Sequence, residues 1–193
     1  FADIDNARGG AIELDSVGGG TGMLCYDFKG GSGSASRRVP VDGARFTIGV
    51  FVQANFCIRR ELTVSGVPGG RSLTGGEVRS TPSGSIIAIV ATDAPLLPHQ
   101  CKRLARRVTM GIAHSGSMSH NGSGDIFLAF STANRKVWHR KGTLARAEHL
   151  PNELMDPLFV GVVEATDEAI IDSMIANETM TGRDGVTVKA LPH

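Results

Sequence analysis

The sequence has few aromatic residues, little net charge and no long apolar run. Aromatic residues make up 5% of its 193 residues, and 20 lysines and arginines nearly balance 19 aspartates and glutamates. A chain so evenly charged lacks the field of one sign that attracts nucleic acid or an acidic membrane surface, so we expect neither as a partner. No apolar run approaches the ~20 residues that cross a bilayer, which argues against a membrane span.

Cysteine is scarce, and its spacing matches no disulfide framework or metal site. The three cysteines are Cys25, Cys57 and Cys101. They share no C-x-x-C spacing, so we expect buried free thiols in a reducing compartment, the cytoplasm, with the periplasm as the alternative. Four histidines also lack metal-ligand spacing with a paired acid or thiol: His99, His114, His120 and His139. The sequence therefore predicts no metal and no other cofactor.

Glycine, in contrast, is plentiful, with 25 residues. This composition is typical of a tightly turned globular protein, and the length suffices for one domain with a real core. The glycine run at 18–22 lacks the Lys-Ser/Thr ending of a phosphate loop, so we expect it to pack closely against neighbouring backbone near the functional site. Because the chain begins at Phe1 and not at methionine, we expect it to start inside a longer protein or at a processed end.

Apolar runs and alternating patterns predict several strands. The predicted strands cover residues 23–28, 45–54, 61–67, 85–92, 108–114 and 125–131. The glycine-rich stretch 29–38 is predicted to be a turn, and the basic stretch 135–149 around Trp138 an exposed loop.

Two helices are predicted between and after these strands. The first opens at Asp93 and Pro95. Its apolar face is formed by Leu97, Cys101, Leu104, Ala105 and Val108. The second opens at Asp156-Pro157 and continues to Gly182. Helices against largely buried antiparallel strands indicate an α+β fold, with helices packed outside two stacked sheets.

The most informative motif is Gly84-Ser85, which precedes the apolar run 86–90. A loose segment, 75–83, leads to a glycine that can adopt dihedrals closed to other residues, and Ser85 begins a rigid strand. This arrangement suits a peptide bond that the protein cuts in itself. The freed Ser85 would carry both a hydroxyl nucleophile and an α-amine with a pKa of about 7.7–8.0, a usable general base. The alternative is an ordinary turn that enters a core strand.

Three further side chains are candidates for the same chemistry. Asn55 ends an apolar strand, where its amide can stabilise a developing oxyanion; a turn-capping asparagine is the alternative. Ser123 and Asp125 can point the same way if their segment is extended. The hydroxyl could then bond Ser85 while the carboxylate supports the cationic amine, unless the segment is simply a glycine-rich hairpin.

Five blocks of the sequence, in the expected order, resemble the L-aminopeptidase/D-esterase (DmpA-type) family. They lie at residues 17–23, 52–56, 84–100, 121–134 and 177–185. The resemblance implies an αββα sandwich similar to the Ntn-hydrolase layering, of the DmpA/ornithine acetyltransferase type. It also implies cleavage at Gly84-Ser85. The single domain, incomplete at its N-terminus, would then comprise the C-terminal part of an α-subunit at 1–84 and a β-subunit at 85–193.

The resemblance also implies roles for the candidate residues. Ser85 matches the family nucleophile and Asn55 the oxyanion-hole asparagine. Ser123 and Asp125 match a serine and an acidic residue proposed to assist the nucleophile, although some β-peptide-cleaving relatives carry Glu where Asp125 stands. The family uses no cofactor, assembles as oligomers of αβ units, and has a long preceding stretch that supplies part of the substrate pocket.

The sequence therefore predicts a self-processing serine aminopeptidase that hydrolyses the amide or ester bond next to the free amino terminus of a small peptide. One alternative is a β-peptidyl aminopeptidase or polyamide-oligomer amidase with the same machinery. Another is an unprocessed or truncated, inactive homologue with a binding or structural role.

Overall fold

The protein is described here by a computed structural model that covers residues 2–135, 137 and 142–192, without the side chains of residues 3 and 4. The helices are α1 (Ala2–Asp5), α2 (Pro98–His114) and α3 (Asp156–Ile175). The strands are β1 (Leu24–Cys25), β2 (Phe28–Lys29), β3 (Ser32–Val41), β4 (Ala44–Asn55), β5 (Ser85–Thr92), β6 (Ile126–Ser131), β7 (Met180–Thr181) and β8 (Thr187–Val188).

A four-stranded sheet in the order β3-β4-β5-β6 forms the centre of the fold. β3, β4 and β5 pair antiparallel, whereas β5 and β6 pair parallel through α2. In the β4–β5 register, Asn55 lies directly opposite Ser85. The parallel β5–β6 register pairs Ile87 with Ile126, so Asp125 reaches the same end of the sheet.

One face of this sheet packs against α2 and α3 and forms the core. Alternate residues of β4 and β5, such as Val52, Ile86 and Val90, are fully buried there. The facing helices contribute Leu104, Val108, Val162, Ala169 and Ile170. This period-two burial, matched to an apolar helix stripe, is the pattern that antiparallel strands under a helix layer show.

The opposite face of the sheet is apolar and open. Ile126 and Leu128 of β6 are 60% and 55% exposed, and Ile87 of β5 is also exposed. Because side chains two residues apart share a face, Ser85 and Asn55 belong to this open side. The predicted α+β class is confirmed, and within the described residues the chain forms one helix layer and one sheet layer of the sandwich.

Three predicted strands, 45–54, 85–92 and 125–131, are confirmed as β4, β5 and β6. The predicted strand at 23–28 is instead divided into β1 and β2, because Tyr26 and Asp27 take φ values of 50° and 58° and turn the chain back. The turn predicted over 29–38 is wrong, since most of it lies in β3. Its small residues admit α3: a Cβ on Gly33 would lie 2.1 Å from the Ala169 carbonyl oxygen.

The strands predicted at 61–67 and 108–114 are also wrong. The first stretch holds only an isolated bridge between Val64 and Val67. The second continues α2, because Val108 and Ile112 extend its buried face at helical spacing. Gly111 belongs there for packing reasons: a Cβ on it would lie 2.5 Å from Thr166 Cβ of α3.

The helix boundaries differ from prediction at both helices. α2 begins at Pro98, because the Asp93 carboxylate accepts the Thr47 backbone N–H of β4 instead of capping the helix. α3 ends at Ile175 and not at Gly182. Residues 142–149 of the predicted exposed loop have no helix or strand. Trp138 and His139 lie outside the described residues. Within the described residues, no helix combines the length and apolar character that crossing a membrane takes.

We expect Gly33→Ala to destabilise the protein by about 1–3 kcal/mol, because its methyl group would force β3 away from α3. Urea unfolding of the purified protein measures the change. Gly9→Ala is the matched control, since a Cβ there meets nothing within 4 Å. A Gly33→Ala protein as stable as the Gly9→Ala protein would contradict the close β3–α3 approach.

Candidate active site

Ser85 is the first residue of β5 and lies half-buried at the open end of the sheet. Its Oγ accepts a hydrogen bond from the Gly124 backbone N–H at 2.8 Å. The preceding Gly84 has a φ of 91°, and a Cβ on it would lie 1.9 Å from the Asn55 carbonyl oxygen. Position 84 therefore requires glycine for both its conformation and its space.

Asn55 lies across from Ser85 with its amide held in one orientation. Its Oδ1 accepts the Leu24 backbone N–H at 3.1 Å and Arg79 Nη2 at 2.7 Å. Because both partners only donate, the oxygen must face them and Nδ2 must face the other way. A Cβ on Gly84 would be 3.3 Å from that Nδ2, so the amide N–H group borders Gly84. The geometry suits a donor for an oxyanion formed at the Gly84 carbonyl.

Ser123 and Asp125 reach the same end of the sheet, but their bonding differs from prediction. The Ser123 hydroxyl donates to Asp125 Oδ1 and not to Ser85. The same Asp125 oxygen accepts the Ile86 backbone N–H at 3.0 Å. The carboxylate thus lies one residue from the Ser85 nitrogen, where it can support a positive charge on a freed amine.

The segment that leads to Gly84 has no helix or strand, yet it is anchored to the body of the protein. The fully buried Asp27 carboxylate accepts the backbone N–H groups of Val78 and Arg79 at 3.0–3.2 Å. Arg59 donates to the Gly75 carbonyl at 2.7 Å and to the Asp27 carbonyl at 2.6 Å. Sequence reasoning missed these residues, because Asp27 and Val78 are 51 positions apart and share no motif.

Arg79 connects this leader to the site. Besides Asn55, its guanidinium donates to the carbonyl oxygens of Leu24 and Ser83, both at 3.2 Å. One side chain therefore joins the segment before the Gly84-Ser85 bond, the β1 hairpin and the candidate oxyanion donor. Burial lowers the pKa of Arg79, which Asp27 partly offsets, and a guanidinium stays charged at neutral pH despite such a shift.

The glycine run packs closely near the site, as predicted. A Cβ on Gly20 would lie 2.3 Å from the Asp15 carbonyl oxygen, and one on Gly19 would overlap the side chain of Gln53, two residues before Asn55. The buried Lys29 ammonium donates to the Gly20 and Met23 carbonyl oxygens, each at 3.1 Å. Burial lowers the pKa of Lys29, and the lysine serves to hold the glycine turn.

All three cysteines are free and buried, as predicted. Burial raises the pKa of the Cys57 thiol to about 12 and that of Cys25 well above its usual range. These thiols are protonated near neutral pH and are weak nucleophiles. Ser85, with a reachable hydroxyl beside an amide donor, is therefore the stronger candidate.

Comparisons with known proteins show which family the chain is similar to. The model of Peptidase family S58 matches residues 1–188. The chain is 45% identical over 205 residues to the beta-peptidyl aminopeptidase BapA of Sphingosinicella microcystinivorans, covering 98% of this chain and 52% of that protein. It is 42% identical over 207 residues to BapA of Sphingosinicella xenopeptidilytica, covering 100% of this chain and 52% of that protein.

Solved structures share the fold as well. The L-aminopeptidase D-Ala-esterase/amidase of Ochrobactrum anthropi, described as a variant of the Ntn-hydrolase fold, matches with a TM-score of 0.90 and 45% identity, over 98% of this chain and 52% of that one. A Burkholderia beta-aminopeptidase matches with a TM-score of 0.84 and 41% identity, over 98% and 54%. The chain spans about half the length of the relatives it matches. The match over nearly all of its residues shows that the chain belongs to peptidase family S58.

Proposed function

We propose that the chain is part of a self-processing serine aminopeptidase that hydrolyses the amide or ester bond next to the free amino terminus of a small peptide. The observation that supports this most directly is the meeting of the Ser85 hydroxyl, Gly84 and the Asn55 amide at one end of β4 and β5. The whole protein would be a homo-oligomer in a reducing compartment, the cytoplasm. Residues 1–84 would end its first processed piece, and 85–193 would begin the second at the nucleophile.

The first reaction is on the chain itself. Ser85 Oγ attacks the Gly84 carbonyl carbon, and the carbon–nitrogen bond breaks as the proton passes to the departing Ser85 nitrogen. Water then hydrolyses the resulting ester, leaving a Gly84 carboxylate and a free Ser85 amine beside its own hydroxyl. The Asn55 N–H group stabilises the negative oxygen of the tetrahedral intermediate, a contribution on the order of 3–4 kcal/mol per well-placed donor.

The second reaction uses the freed residue. The Ser85 amine, with a pKa of about 7.7–8.0 for an ordinary α-amine, takes the proton from its hydroxyl as that oxygen attacks the substrate. An acyl-enzyme forms, the substrate's amine or alcohol leaves with a proton, and water completes the hydrolysis. Asp125 stabilises the protonated amine, and Ser123 holds the Asp125 carboxylate in place through its hydroxyl.

Arg79 lies in the segment that precedes the proposed cut, and its contacts would assist cleavage of the Gly84-Ser85 bond. By donating to Asn55 Oδ1, Arg79 keeps Nδ2 directed to Gly84 while the bond is intact. The same guanidinium holds the Ser83 carbonyl, so it restricts the peptide bond that precedes Gly84. Arg79 is thus a positioning residue for self-cleavage.

The proposed machinery would act on α-peptide amides, β-peptide amides or polyamide oligomers. The printed names of the relatives include beta-peptidyl aminopeptidases and an L-aminopeptidase D-Ala-esterase/amidase. Both classes would use the site described above, and polyamide oligomers are a further amide substrate of this kind. Rates on matched α-alanyl and β-alanyl amides separate them: a higher kcat/KM for the β-alanyl amide would assign the protein to the β-peptidyl class.

We expect Ser85→Ala to abolish both self-cleavage and turnover, because the variant lacks the hydroxyl that each reaction needs. A denaturing gel with N-terminal sequencing of the complete protein measures the first, and amide hydrolysis the second. The wild type should yield a fragment that begins Ser85-Ile86-Ile87, and the exposed neighbour Ser83→Ala should cut like wild type. Complete cutting in Ser85→Ala would remove Ser85 from the mechanism. A single intact wild-type band under all conditions would favour an inert protein with a binding or structural role.

We expect Arg79→Gln to slow self-cleavage about tenfold or more, because a hydrogen bond from a charged donor is worth about 1.5–3 kcal/mol. Asn55→Asp keeps the shape but removes the N–H donor, and should slow cutting about 10²–10³-fold. The measurement is the rate at which the Ser85 fragment appears after synthesis. Arg71→Gln is the control, since Arg71 is exposed and the Asn55 oxygen accepts from Leu24 and Arg79 instead. Equal rates for Arg79→Gln and wild type would exclude the positioning role.

A further inference from the structure

Three metal-ligating side chains converge beside the candidate active site. The Cys57 sulfur, a Glu61 carboxylate oxygen and a His120 ring nitrogen all lie within 4.8 Å of one another. His120 Nε2 is 2.9 Å from Glu61 Oε1 and 3.1 Å from Oε2. Cys57 is buried, whereas Glu61 and His120 are partly exposed, so the group can be reached from solvent.

The segments that carry these side chains are already fixed to each other. Cys57 and Glu61 follow β4, and Glu61 closes the short 3₁₀ turn Arg59–Glu61. His120 lies in the segment after α2, which is joined to the first segment by a hydrogen bond from the Thr63 N–H to the Ser115 carbonyl at 2.9 Å. Because this hydrogen bond already fixes the two segments to each other, binding an ion there needs little further ordering of the chain.

The backbone at Cys57 is unusual for a residue with a side chain. Its φ is 64°, in the left-handed region that favours glycine. Residues held in this region persist where the surrounding structure demands them, and they cluster at functional sites. Here the conformation brings the thiol to Glu61 and His120, at a position where glycine would fit with less strain.

We propose that Cys57, Glu61 and His120 form a binding site for a divalent cation of the zinc class. A thiolate, an imidazole and a carboxylate are the donor set that zinc takes, and three protein ligands leave a fourth position for water. The Ser117 hydroxyl, which now accepts the Cys57 S–H at 2.9 Å, can rotate to donate to the thiolate and hold it in place. Binding releases the Cys57 proton.

No pattern in the sequence indicates this site. His120 is 59 positions from Glu61, and the spacing of Cys57 and Glu61 matches none of the short zinc motifs. The sequence excludes a metal and a ligand role for His120 only because of residue spacing. The fold, in contrast, brings Cys57, Glu61 and His120 within 4.8 Å of one another.

The location of the site suggests what the ion does. Cys57 and His120 line a small cavity that also contacts Gly84 and Ser123. A bound ion would link Cys57 and Glu61, just after Asn55, to His120, just before Ser123. It would stabilise the packing of these two segments. The cation-binding claim itself does not depend on the proposed hydrolase activity.

The test is a titration of metal-free protein with Zn²⁺ and with Co²⁺, using the complete protein with Ser85→Ala so that no self-cleavage alters the sample. We expect one ion per chain by calorimetry, a thiolate-to-cobalt charge-transfer absorption band, release of one proton in weak buffer and a Zn²⁺-dependent rise in Tm. Because binding is measured without turnover, failure of the hydrolase proposal would leave this result unaffected.

Variants decide which residues hold the ion. Cys57→Gly keeps the backbone conformation, and His120→Gln keeps the polarity; each should weaken Zn²⁺ binding by more than the roughly 100-fold that loss of an outer partner can cost. Cys101→Ser, at a buried cysteine on α2, should bind like the parent. Absence of binding by the parent, or full affinity in both Cys57→Gly and His120→Gln, would overturn the proposal, with circular dichroism checking that each variant is folded.

Discussion

The pairing of β4 with β5 is the constraint on which the rest of the site depends. Asn55 and Ser85 end and begin their strands directly opposite each other, on the face of the sheet that the helices leave open. A slip of one residue would turn Ser85 toward α2 and α3 and bury its hydroxyl in the core. Burial of Val52, Ile86 and the other alternate residues opposes such a slip, so the hydrophobic core fixes the geometry of the site.

The uncut junction is held from both sides. Asp27 and Arg59 anchor the leader, and Arg79 connects it to Asn55, while the Gly124 N–H group holds the Ser85 hydroxyl. Gly84, in a conformation closed to other residues, lies between the two sets of contacts. Holding the reacting groups in one arrangement is how a protein makes an intramolecular step fast, and the proposed self-cleavage would use this arrangement.

Local sequence patterns predict those elements whose conformation depends mainly on their own residues. The run 86–90 with its Gly-Ser start predicted β5 with its observed bounds, and the four candidate residues meet at one sheet end. β3 is not predicted, because its glycines and serines look like turn residues. They are small so that α3 can pack closely against β3, as Gly33 against the Ala169 carbonyl shows. The second half of α2 is wrongly predicted as a strand, because the packing of Val108, Gly111 and Ile112 against other elements is set by the tertiary fold. Contacts such as Asp27 with Val78, or Cys57 with His120, depend on the tertiary fold. No local sequence pattern predicts them.

The orientation of the Asn55 amide toward an intact Gly84-Ser85 bond is the central claim, and electron density tests it most directly. In a crystal structure of the complete, uncut Ser85→Ala protein, we expect continuous main chain through residues 84 and 85, with Asn55 Oδ1 facing Leu24 and Arg79 and Nδ2 facing Gly84. Arg79 should occupy the other side of the same amide. A β4–β5 register that places residue 85 under the helices, or an Asn55 amide turned away from Gly84, would contradict the account.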